Sequence, residues 1–148
     1  MSSGGVIMKS ADARQFVLDF FKELTGGNAA CWDRVADDAT WKLIAQASDY
    51  PYPSDYTKAS YRKLVEDSVK DFPSGLRFTI TGTTAEDDRV AIEAESYGMT
   101  RSGKLYNNMY HLLLLLDNGK IKTVREYLDS GHATEVLGRN SRLPAQDP

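Results

Sequence analysis

The spacing of apolar residues changes period once along this chain, near residue 76, and that change narrows the folds open to it. Before it, Ala13, Phe16, Val17, Phe20, Phe21 and Leu24 recur at three-and-four spacing among Asp12, Arg14, Asp19, Lys22 and Glu23. Residues 11–25 are therefore expected to form an amphipathic helix, stopped by Gly26-Gly27. Tyr61, Leu64, Val65, Ser68 and Val69 predict a second helix over 58–71, ended by Phe72-Pro73-Ser74-Gly75. After it, 76–84, 89–99, 105–116 and 120–128 are β-rich or alternating runs. Glu86-Asp87-Asp88, Arg101-Ser102-Gly103 and Asp117-Asn118-Gly119 separate them, which predicts an antiparallel meander. Helices gathered first and strands after them argue for an α+β fold with the helices on one face of the sheet.

The intervening segments complete the order. A short element is expected over 31–35, after which Asp37-Asp38 turns the chain into a first, short strand over 40–45. Residues 48–56 hold Pro51 and Pro53, which disfavour helix and central strand, so this stretch reads as a loop carrying Tyr50, Tyr52 and Tyr56. A closing helix is expected over 131–138, with Asp129 or Ser130 as its N-cap. A chain of 148 residues supports one core, placed at 8–139, with 1–7 and 140–148 expected to be flexible termini.

Charge and cysteine content exclude several classes of function. The 18 basic and 21 acidic side chains are scattered, with a net charge of -3, so there is no basic stripe for nucleic acid. Cys31 is the sole cysteine, which rules out an intramolecular disulfide and suits a reducing, cytoplasmic setting. The longest apolar run, Leu112 to Leu116, is far short of the ~20 residues a membrane span needs, and no membrane partner is expected. No His-x-His, Glu-x-x-His, phosphate loop, dinucleotide fingerprint or nucleophile elbow is present, so neither metal nor cofactor is expected.

Strand parity nominates the chemistry. If Val124 and Leu128 face the core, Glu126 lies between them on the same side. An inward carboxyl has its pKa raised by desolvation and is poised to move protons near neutral pH. Parity equally allows Glu126 to face solvent beside a lysine or arginine, since glutamate is seldom fully buried. On the preceding strand, Tyr106, Asn108 and Tyr110 share a face with Leu112 and are candidates to hydrogen-bond a ligand oxygen, or simply to bridge core and solvent. His111 and His132 have no partner visible in sequence.

Gly103-Lys104-Leu105-Tyr106-Asn107-Asn108-Met109-Tyr110, the segment from Gly119 to Asp129 and His132 resemble the SnoaL-like branch of the nuclear-transport-factor-2-like superfamily. Asp37-Asp38-Ala39-Thr40-Trp41 and Asp88-Arg89-Val90-Ala91-Ile92-Glu93 support the resemblance, which spans residues 11–138. It implies a cone-shaped curved antiparallel sheet wrapped by N-terminal helices around one pocket. It also implies a small hydrophobic substrate and a homodimer or higher homo-oligomer.

The resemblance extends to single positions. The first-strand aspartate of ketosteroid isomerases matches Leu43, and their oxyanion-hole tyrosine matches Phe20. Limonene-epoxide-hydrolase-like members place an asparagine at the Leu43 position and an Arg-x-Asp pair where this chain has Ala94 and Ser96. Their last-strand aspartate has its counterpart in Glu126. Both of those chemistries are therefore disfavoured. What the resemblance leaves is cofactor-free lyase, isomerase or aldol-type cyclase chemistry on an aromatic or polycyclic oxygenated compound. Its catalytic group would be Glu126 with Asn108 and Tyr110. Trp41, Leu43, Tyr50, Tyr52, Tyr56, Ser96, Tyr106, Leu112, Val124, Leu128 and His132 would contact substrate. A non-catalytic binding or dimerisation module is the alternative.

Overall fold

The computed structural model describes residues 7–46 and 50–138. The expectations for 1–6, for Ser48 and Asp49 of the aromatic loop, and for the chain beyond 138 lie outside the described residues. The first helix, α1 (Ser10–Thr25), buries Ala13, Val17, Phe20 and Phe21 as its spacing requires. It is followed by Gly27, whose φ of 73° lies in the region glycine adopts without strain. A 3₁₀ turn, Ala29–Arg34, then buries Cys31 and Trp32, and the Arg34 guanidinium ties it to α1 through Glu23 at 2.9 and 3.0 Å.

Strand β1 (Val35–Ile44) begins five residues earlier than the sequence indicated. Asp37-Asp38, read as a turn, instead runs extended through a register irregularity between Val35 and Thr40. Ion pairs from Asp37 to Lys58 and from Asp38 to Lys122 accompany it. The end of the aromatic loop forms a short strand, β2 (Asp55–Thr57), on the edge of β1. Helix α2 (Lys58–Ser68) starts in a capping box between Thr57 and Ser60, and a 3₁₀ turn, Val69–Asp71, extends it.

The second half is the meander β3 (Arg77–Glu86), β4 (Arg89–Met99), β5 (Leu105–Tyr106), β6 (Met109–Asp117) and β7 (Lys120–Leu128). Helix α3 (Ser130–Leu137) follows, capped by the Asp129 carboxylate accepting from the His132 backbone N–H. The strand expected over 105–116 is divided, because the Asn108 side chain takes over hydrogen bonds that a continuous ladder would make.

Sheet order is β2-β1-β7-β6-β4-β3, with β5 paired to β4. All neighbours are antiparallel except β1 and β7, which run parallel. That pairing joins residues some 85 positions apart, and nothing local in the sequence indicated it. The antiparallel-rich sheet curls into a half-barrel. Its inner parity is continuous across strands: Val90 and Ile92 on β4, Leu112 and Leu114 on β6, Ile121 and Val124 on β7 are all buried. Among the described residues no helix is long and apolar enough to cross a membrane.

Candidate active site

The curled sheet and the two long helices do not fill the space between them, and a cavity of about 210 Å³ remains. Phe21 and Leu24 of α1 and Tyr61, Leu64 and Val65 of α2 form its helical wall, while Leu43, Phe78, Leu112 and Leu128 form the sheet wall. Phe72, Leu76 and Leu137 line it at the α3 end, and Tyr50 and Tyr52 from the loop before β2 also line it. Such a lining, apolar with a few polar groups, is what a small-molecule site needs.

Glu126 is the buried carboxylate of this wall. Strand pairing sets it between Leu43 on β1 and Leu112 on β6, so it projects inward with them. It is 9 % exposed, which resolves the two readings of its parity in favour of the interior. The Tyr61 phenol donates to Oε1 at 2.8 Å and the Trp41 indole N–H donates to the same oxygen at 3.1 Å. Oε2 has no hydrogen-bond partner among the described residues. Trp41 and Tyr61 stack at 3.7 Å between ring centroids, 15° from parallel, so the two donors brace each other. Burial pushes the Glu126 carboxyl up from its ordinary range, and the two hydrogen bonds, which favour the anion, offset only part of that rise. Burial and the nearby Glu126 charge hold the Tyr61 phenol well above its own range, so it stays a proton donor.

A second polar corner lies further along β6. Asn108 is 1 % exposed and every hydrogen-bonding position of its amide is used. Nδ2 donates to the Tyr106 hydroxyl at 2.9 Å and to the Asp129 carbonyl at 3.1 Å. Oδ1 accepts from the Met109 N–H at 2.7 Å and the Asp129 N–H at 3.2 Å. The Tyr110 hydroxyl lies within hydrogen-bond distance of Ser96 Oγ at 3.0 Å and of the Tyr106 hydroxyl at 3.2 Å, its one proton serving one of these bonds while its oxygen accepts the other. Ser96 Oγ also accepts from the Asn108 backbone N–H at 3.1 Å. Burial raises the Tyr106 and Tyr110 phenols, so both are neutral donors at physiological pH.

Of the residues nominated from sequence, Leu43, Tyr50, Tyr52, Tyr106, Tyr110, Leu112, Glu126 and Leu128 line the cavity. Six do not. Trp41 stands behind Glu126 under the Tyr61 ring, and Tyr56 packs edge-on against Tyr61 at 5.7 Å, its phenol pushed up to about 12 by burial. Val124 is fully buried beneath the wall, between Trp41 and Leu114 in the register. Ser96 and Asn108 sit behind the two tyrosines, their hydrogen bonds committed inside the protein. His132 stacks on Tyr106 at 5.5 Å, and its Nε2 accepts from the Asn107 N–H at 3.2 Å. Phe20, at the position of the family's helix tyrosine, is fully buried core.

The sequence reading missed Tyr61, and with it Asp71, which lines the cavity after α2. Tyr61 occupied a core position of a helical pattern, where a phenyl and a phenol look alike. Only its contact with a residue 65 positions away reveals the difference. Among the described residues no three His, Cys, Asp or Glu side chains gather as a metal site.

No family model and no curated protein matches this sequence. Solved structures do match. An NTF2-like protein from Burkholderia xenovorans LB400 superposes with a TM-score of 0.71 at 17 % identity, covering 86 % of this chain and 97 % of that one. The chain has the nuclear-transport-factor-2-like fold. A candidate SnoaL-like polyketide cyclase from Jannaschia sp. CCS1 matches with a TM-score of 0.66 at 17 % identity, over 81 % of this chain and 87 % of its own. TerC, crystallised with polyporic acid, matches with a TM-score of 0.72 at 12 % identity, over 84 % and 97 %.

Proposed function

We propose that this NTF2-like chain is a cofactor-free acid/base enzyme, a lyase, isomerase or aldol-type cyclase, in which Glu126 moves a proton at carbon next to a carbonyl. The observation that carries this reading is the asymmetry of Glu126: Oε1 holds two donors, while Oε2 has none and the residue lines an apolar cavity. Desolvation raises its basicity, and fixing one oxygen orients the other, the two conditions for general-base catalysis. Oε2 takes the proton from carbon, the C–H electron pair moves into a new C=C bond, and the carbonyl π pair collects on oxygen. The Tyr110 phenol stands one diagonal step from Glu126 across β6 and β7, roughly 7 Å between strand positions, and with the Tyr106 phenol of β5 it lines the same cavity, where either can meet that oxygen. Return of the proton to a different carbon isomerises, and attack by the enolate carbon on a second carbonyl cyclises.

Cavity size narrows the substrate. An apolar cavity of roughly 150 Å³ admits benzene, so about 210 Å³ suits a one- or two-ring oxygenated compound better than four fused rings. Fold relatives described as a candidate polyketide cyclase and as a complex with polyporic acid support this class. The test is hydrogen–deuterium exchange at the α-carbon of 2-tetralone and 2-indanone in D₂O, followed by proton NMR. Exchange catalysed by the wild type and lost in Glu126→Gln supports the reading; equal exchange by both contradicts it. Binding without exchange across the panel would favour a carrier, a reading also served by the lack of a second acid/base side chain at Leu43, Ala94 or Ser96. We further propose a homodimer through the outer sheet face, where Tyr97, Met99, Met109 and Tyr127 are exposed. A monomer by light scattering at micromolar concentration would refute it.

A further inference from the structure

Glu126 is buried with no counter-ion among the described residues. Its two donors, the Tyr61 phenol and the Trp41 indole, are neutral, and both are directed at Oε1. Its neighbours across the strands are Leu43 and Leu112. The titratable groups set against it are phenols: Tyr61 on α2, Tyr56 on β2, Tyr50 shortly before it, and Tyr106 and Tyr110 on β5 and β6. Burial holds each of them above the ordinary range of tyrosine, so all five are neutral near physiological pH. Among the described residues that line the cavity there is no lysine, arginine or histidine, whereas three phenylalanines and five tyrosines contribute rings. The second carboxyl of the lining, Asp71, adds charge of the same sign as Glu126.

A buried carboxylate avoids the cost of an unpaired charge in one of two ways: it takes up a proton, or it meets a cation. The two hydrogen bonds on Oε1 favour the anion, and an anionic Oε2 needs a donor. A ketone has none to give. We infer that this cavity is also a binding site for an organic ammonium ion, a one- or two-ring amine whose N–H donates to Glu126 Oε2 while the phenylalanine and tyrosine rings enclose its body. Two attractions act together there: a charge-assisted N–H to carboxylate bond, and the pull of aromatic rings on a cation. A carboxylate ligand meets the opposite field, two acidic side chains and no cation in the described lining. The inference goes beyond the proposed function, since it rests on the same inward Oε2 but requires no proton transfer from carbon. An amine seated at Oε2 occupies the place of the acidic C–H and therefore competes with a ketone.

Titration calorimetry near neutral pH with 2-aminoindane, 2-indanol and indane-2-carboxylate compares one ring skeleton bearing a positive, a neutral and a negative group, the amine being charged there as lysine is. The wild type is expected to bind 2-aminoindane about tenfold more tightly than 2-indanol, and indane-2-carboxylate about tenfold more weakly than 2-indanol. In Glu126→Gln the amine and the alcohol should bind within about threefold of each other. Binding of 2-indanol or indane-2-carboxylate by the wild type as tightly as the amine, or an amine preference that persists in Glu126→Gln, overturns the inference. Should Glu126→Gln fail to fold, the wild type decides: its affinity for 2-aminoindane must rise as pH is raised through the midpoint of Glu126, where the carboxyl becomes charged, while its affinity for 2-indanol does not rise. An amine affinity that is flat across that range overturns it. Exchange on 2-indanone with no preference for the amine defeats this inference alone. Amine binding that depends on Glu126, with no exchange on 2-indanone, supports it and defeats the proposed reaction.

Discussion

The carboxylate corner and the phenol corner of the cavity both bury polar groups in an apolar cone, and they solve the problem in opposite ways. At the first, two donors, Trp41 and Tyr61, converge on one oxygen of Glu126 and leave the other without a partner. At the second, Asn108 satisfies four positions, and the hydroxyls of Tyr106, Tyr110 and Ser96 hydrogen-bond one another. One corner thus keeps an open acceptor, and the other is a shared network of hydroxyls and one amide. A proton leaving carbon needs such an open acceptor.

The largest effect is expected where the comparison is most unequal. Glu126→Gln keeps an Oε1 acceptor for Tyr61 and Trp41 but removes the base, so α-proton exchange should fall by about 10²–10⁴-fold. Retained exchange would mean that the acceptor at this corner is idle. Asn108→Ala removes scaffolding from the other corner and strands the Met109 and Asp129 N–H groups. A loss of about 2–3 kcal/mol in urea unfolding is expected, with exchange declining much less than in Glu126→Gln.

Tyr61→Phe removes one of the two bonds holding Oε1. We expect about 1–2 kcal/mol of destabilisation and a further rise of the Glu126 midpoint, because that bond favours the anion. A fall in the midpoint would show that the bond favours the acid form. The smallest effect is the pH dependence of stability. The folded Glu126 carboxyl binds its proton more tightly than the free group, so its contribution is full below the ordinary pKa of 4.5. It is lost as pH rises through the folded midpoint, and is constant above it. The stability of Glu126→Gln relative to wild type should therefore grow upward from pH 4.5 and then level off. A difference that does not change with pH would place the Glu126 carboxyl in water.

Much of this arrangement was legible in the sequence where the physics is local. β4 and β7 run over the residues their alternation indicated, because a half-buried strand writes its two faces into consecutive residues. The inward side of Glu126 was one of two readings that the same alternation allowed. What stayed hidden depends on partners distant in sequence. The parallel pairing of β1 with β7 brings Trp41 behind Glu126, and Tyr61 reaches the carboxylate from a helix whose pattern shows only a core position. Asn108 was nominated to the catalytic group, as an orienting donor, because an amide offers donors and an acceptor. Its saturation by Tyr106, Met109 and Asp129 depends on the break between β5 and β6, which alternation across 105–116 conceals.

The central claim is that Glu126 is an inward carboxyl whose proton affinity is raised by burial and directed by Trp41 and Tyr61. Carbon-13 NMR of the Glu126 Cδ, assigned by its absence in Glu126→Gln and followed from pH 3 to 9, measures this without knowledge of the substrate. The account predicts a midpoint clearly above 4.5 that rises again in Tyr61→Phe. A midpoint at or below 4.5, unmoved by Tyr61→Phe, would contradict it.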